Sequence, residues 1–220
     1  KSIGDKLREN GIRVPILGCY INPSDANEES LNESLDYFIE NLHYAKYIGA
    51  EMVGLETCRF SDDDEINNSE ETYQYLLKNM KKLVSVAEEI GVNVGIEGVH
   101  FHVINTPTKM KRLVDDLNSP NVRVIFDPVN YINTANYKNQ DEIINTHFDL
   151  LGEKTKLLHL KDFKLVDGEV AYEFPCDGLL NKDLLWDKLK QYNPDIAVIL
   201  EEVKEDHLAQ VKAAVEKRFV

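Results

Sequence analysis

VRVIFD, residues 122–127, is a β-branched apolar run that ends on a carboxylate. Three later or earlier runs share its character: VNVGIE (92–97), KLLHLK (156–161) and IAVILE (196–201). IRVPILGC (12–19) and EMVGLE (51–56) complete a set of six candidate strands. Their ends recur at a step of roughly 30–40 residues, the length of one strand plus one crossover helix. Near-continuous apolar strands of this kind belong to a parallel sheet covered by helices.

The stretches between them are helical in period. Over 28–48, Leu31, Leu35, Phe38, Leu42 and Ala45 form one apolar stripe. Over 70–90, Leu76, Leu77, Met80, Leu83, Val84, Ala87 and Ile90 form another, and Gly91 is a stop signal. Thr106-Pro107 opens a helix through 118. Further helices are predicted over 140–151, 181–191 and 205–217. The loop 162–180 is longer, and its Asp167-Gly168 pair predicts a small hairpin. No linker or composition break divides the chain, so a single domain over 1–220 is expected.

An open doubly wound sheet carries a Gly-rich phosphate turn after its first strand, and this sequence has none. A (β/α) barrel gathers its site at the carboxyl ends of its strands. Glu97, Asp127, His159 and Glu201 stand at the ends of the last four runs. Alternation puts His159 and Lys161 on one face, and turns Glu202 away from Glu201. Three carboxylates and an imidazole at one rim repel unless a divalent cation sits among them. Such an oxygen-rich set suits Mn, Mg, Co or Zn.

The composition narrows the function classes. The 220 residues carry 25 Lys+Arg against 39 Asp+Glu, a net charge of −14. That charge repels phosphate backbones, so nucleic-acid binding is not expected. No apolar stretch approaches the roughly 20 residues of a membrane span. Cys19, Cys58 and Cys176 match no disulfide or zinc spacing, which fits a reducing, cytoplasmic setting.

The segments GIEGVHFHVINTP (95–107), VIFDPVNYI (124–132), LLHLKDF (157–163), FPCDGLL (174–180) and VILEEV (198–203) occur in this order. Together they resemble the sugar phosphate isomerase/epimerase superfamily, the xylose-isomerase-like TIM barrels, over about residues 12–203. The resemblance implies that Glu97, Asp127, His159 and Glu201 hold one divalent cation, with Glu97 and Glu201 also acting as acid and base. It implies substrate roles for His102, Lys161, Asn130 and Glu56. The substrate would be a sugar, sugar phosphate or cyclitol, isomerised through an enediolate. A hydrolase of the endonuclease IV type and a non-catalytic sugar binder on the same scaffold stay open.

By the family's count the chain supplies strands three to eight, so a TIM-type barrel lacking its first two βα units is expected. The open edge predicts either more residues ahead of residue 1 or a second copy covering it. His43 and His147 lie within helices and read as surface or packing residues, and Trp186 reads as core.

Overall fold

The computed structural model describes residues 2–219. It divides into two compact units, 2–105 with 109–124, and 106–108 with 125–219.

The first unit opens with helix α1 (Ile3–Glu9), started by a capping box in which Ser2 and Asp5 exchange bonds. Strand β1 (Leu17–Gly18), helix α2 (Glu28–Ile48) and strand β2 (Met52–Glu56) follow. Short α3 (Asp64–Asn67), long α4 (Glu70–Ile90), β3 (Asn93–Glu97) and α5 (Pro107–Leu117) come next. β1 pairs with β2, and β2 with β3, both parallel. The expected strand over 12–19 is shorter than its apolar run. Pro15 has no N–H for a ladder, and only a bridge from Val14 to Ala50 precedes β1. The predicted stripes of α2 and α4 are buried, including Phe38, Leu42, Leu76, Met80 and Leu83.

Strand β4 (Val122–Phe126) leads into the second unit. There α6 (Gln140–Leu151), β5 (Thr155–Leu160), α7 (Lys182–Tyr192), β8 (Ala197–Leu200) and α8 (Leu208–Phe219) continue the alternation. β5 and β8 pair in parallel. Between β5 and α7, β6 (Asp162–Val166) and β7 (Glu169–Glu173) form the predicted antiparallel hairpin. Its turn residues Asp167 and Gly168 both have positive φ, 53° and 88°, as a two-residue primed turn demands. Phe126, Phe148, Phe163, Trp186 and Leu189 center this unit's core.

The strand order is β1-β2-β3 in the first unit, and β5 lies beside β8 in the second. Among the described residues no helix is long and apolar enough to cross a membrane.

Candidate functional site

The register of β5 on β8 builds the second unit's polar cluster. Leu160 pairs with Leu200, and the Glu201 N–H donates to the Leu160 carbonyl at 2.9 Å. Pairing thus runs one residue past the strand and sets Lys161 beside Glu201, on the face that carries His159. The Lys161 ammonium lies 3.0 Å from Glu201 Oε2 and 2.8 Å from Asp127 Oδ2. His159 Nδ1 lies 2.9 Å from Glu201 Oε1. Four of the predicted residues therefore meet. Glu202 is exposed, as alternation requires.

Asp127 follows β4 and is completely buried. Its Oδ1 accepts the N–H groups of Val129 and Asn130 at 2.8 and 3.2 Å, which folds Asp-Pro-Val-Asn into a turn and places buried Asn130 next to it. Burial alone raises the Glu201 carboxyl, but the His159 hydrogen bond and the Lys161 charge outweigh it and bring it to about 2. Burial likewise works against charge on Lys161, and Asp127 and Glu201 more than restore it, holding its pKa above the ordinary value. Two carboxylates sharing one cationic nitrogen, with an imidazole against the second of them, make a donor set of the kind that suits a hard divalent ion.

Two residues that sequence reasoning did not single out support this cluster. Asp162 follows Lys161 but faces the other way. Its carboxylate accepts the N–H groups of Phe163, Gly178 and Leu180, each at 2.9 Å, and the Lys182 ammonium at 2.7 Å. It thereby fixes the loop ahead of α7. Tyr172, on β7, has its ring centroid 4.9 Å from the Lys161 ammonium. The signal for Asp162 was its place in the HLKD stretch; Tyr172 has none in one dimension.

In the first unit, Glu56 and Glu97 are register partners at the carboxyl ends of β2 and β3. Glu97 is buried. Glu56, Cys58 and His102 each bring one donor atom within 4.8 Å of the others. The sequence reading did not include Cys58. His102 Nδ1 accepts the Cys58 backbone N–H at 3.1 Å, so the neutral ring carries its proton on Nε2, the nitrogen 3.9 Å from Glu56 Oε2. Burial, then the charges of Arg59 and His100, push His102 down to about 4. Burial, with Glu56 nearby, pushes the Cys58 thiol up to about 12. The three donors are close enough together to share a cation, and while His102 Nδ1 is engaged its Nε2–H points toward the Glu56 carboxylate.

His147, read from sequence as a packing residue, is fully buried and stacks on Phe126 at 3.6 Å between centroids. Its Nε2 meets Thr155 Oγ1 at 2.9 Å.

A family profile described as xylose isomerase-like TIM barrel matches residues 1–218. The chain belongs to that family. Its parallel strands are a partial set of the family's barrel, the fold class read from the sequence. Among solved structures, the IOLI protein with a bound zinc atom is 18% identical, with all of this chain aligned to 82% of that one at a TM-score of 0.77. A D-tagatose 3-epimerase-like protein is 17% identical over 98% of this chain and 80% of its own, at a TM-score of 0.80. The 3-keto-D-glucoside 4-epimerase from E. coli is 16% identical over 98% and 82%, at a TM-score of 0.73. At these identities the likeness is one of fold. Comparison with curated proteins finds no match.

Proposed function

We propose that this xylose isomerase-like chain is a divalent-metal-dependent isomerase or epimerase of a sugar, sugar phosphate or cyclitol, acting through an enediolate. The observation that carries the reading is that Asp127 and Glu201, at strand carboxyl ends, share the Lys161 ammonium while His159 meets Glu201. The zinc of the IOLI structure and the epimerase activities named for two other neighbours support it.

Asp127, His159 and Glu201 would hold the ion, with Glu97 assigned as fourth ligand by the sequence resemblance. A bound Mn, Mg, Co or Zn ion would supply Lewis-acid polarisation of a substrate carbonyl. Glu201, ionised at neutral pH, accepts the proton from the carbon next to that carbonyl. Glu97 is the partner acid that returns a proton. The sequence resemblance assigns Asn130, Lys161, His102 and Glu56 to the substrate. Among the described residues the three cysteines form no disulfide, in keeping with a reducing, cytoplasmic setting. The partner is a small molecule, with neither nucleic acid nor membrane required.

The test is metal analysis of the purified chain, then solvent-deuterium exchange at substrate C–H with ketoses, ketose phosphates and inososes under metal supplementation. Glu97→Gln and Glu201→Gln should each lower exchange on the order of 100–10,000-fold while circular dichroism stays native. Exchange at the unaltered rate in both variants rejects the assignment.

A further inference from the structure

We infer that Lys161 is a displaceable internal cation. Its ammonium neutralises the Asp127–Glu201 pair when no divalent ion is bound, and withdraws from the two carboxylates onto the Tyr172 ring it already overlies when an ion takes its place. This rests on the metal reading of the site proposed above.

Asp127 is fully buried, and a buried carboxylate without a compensating charge is costly. The Lys161 side chain, 6% exposed, supplies that charge from 2.8 Å, and spans to Glu201 at 3.0 Å. It therefore stands on the oxygens a divalent ion needs. Two cations sharing the same two carboxylates repel each other strongly at such separations. The lysine stem has four flexible carbons, and an aromatic face can hold an ammonium that has let go of its carboxylates. Tyr172 presents that face, its centroid already 4.9 Å from the ammonium. The hairpin that carries Tyr172 begins at Asp162, the residue after Lys161, so one short segment builds both seats.

The experiment uses the full chain at one fixed pH. Mn²⁺ or Zn²⁺ binding is followed by calorimetry, and lysine acylation is mapped by peptide mass spectrometry before and after loading. Lys161 should resist acylation in the metal-free protein and react on the order of tenfold faster once loaded. Lys182, paired with Asp162, should keep its rate and serves as the internal control. Lys161→Met should bind the ion about tenfold more tightly or better. Metal binding with Lys161 equally protected, and no gain of affinity in Lys161→Met, overturns the inference and leaves the metal reading standing. Absence of any metal binding fails the metal reading itself and takes this inference with it. The labelling arm needs no variant, so a Lys161→Met chain that does not fold leaves the test intact.

Discussion

Asp162→Ala should be among the most destabilising single changes in the second unit. The Asp162 carboxylate is fully buried and accepts four hydrogen bonds, three from backbone N–H groups and one from Lys182. Deleting it orphans the Phe163, Gly178 and Leu180 amides, each worth roughly 1–3 kcal/mol if it stays dry. It also strands the Lys182 ammonium, 14% exposed, and breaking a buried pair costs about 3–5 kcal/mol. The loop will partly rehydrate, so the sum is not additive, and a net loss of about 3–5 kcal/mol is expected. That is a large share of the 5–15 kcal/mol typical of a whole domain. Lys182→Met should cost much less, about 1–2 kcal/mol, because the carboxylate keeps its three amide donors. The assay is urea denaturation of the three chains, with amide hydrogen exchange at Gly178 and Leu180. A loss below about 1 kcal/mol in Asp162→Ala, or unchanged exchange at those amides, refutes the clamp.

Two further outcomes are expected. Stability should fall as the solution is acidified, because burial lowers His147 to about 3 against about 6.5 unfolded, so the unfolded chain takes up the proton first. The loss from this group begins below the unfolded value and reaches about 2 kcal/mol between pH 7 and 5; His147→Gln should flatten the profile by that amount, and parallel profiles for the two proteins contradict the assignment. Gly178→Ala should lower the melting temperature, since a Cβ there would run into the Asp162 carboxylate and the Phe163 carbonyl, an overpacking cost of roughly 1–3 kcal/mol. An unshifted melting curve would show that the loop yields freely.

Much of the fold was legible because local signals agreed. The predicted helices at 28–48 and 70–90 match the observed bounds. In each, an apolar stripe is bracketed by a side-chain N-cap, Asn27 or Ser69, and a left-handed glycine, Gly49 or Gly91. Helices α1 and α3 were missed because seven and four residues give too few turns for a period to show. The polar cluster was half legible. Alternation put His159 and Lys161 on one face and turned Glu202 away from Glu201. That the lysine would bridge two carboxylates depends on the β5–β8 register, which no one-dimensional pattern carries. The Cys58–His102 bond joins residues 44 positions apart and was invisible for the same reason.

The way the chain leaves its strands shows how the two carboxylate groups are aimed. Register alone does not hold Glu201 inward, because a one-residue slip of β8 would exchange it for Glu202. The backbone guards against that slip. Glu202 has φ 58°, so the strand conformation stops at Glu201 and its acidic neighbour is thrown outward. In the first unit the same device appears two residues past β2, where Cys58 has φ 53°. That turn aims the Cys58 N–H at His102 and leaves Glu56 at the strand end beside its register partner Glu97. A side-chain-bearing residue in the left-handed region costs energy that a glycine would spare. Both chains of contacts spend it at the residue next to, or two beyond, a strand-end carboxylate. Backbone strain kept there favors a role in orienting chemistry over one in packing.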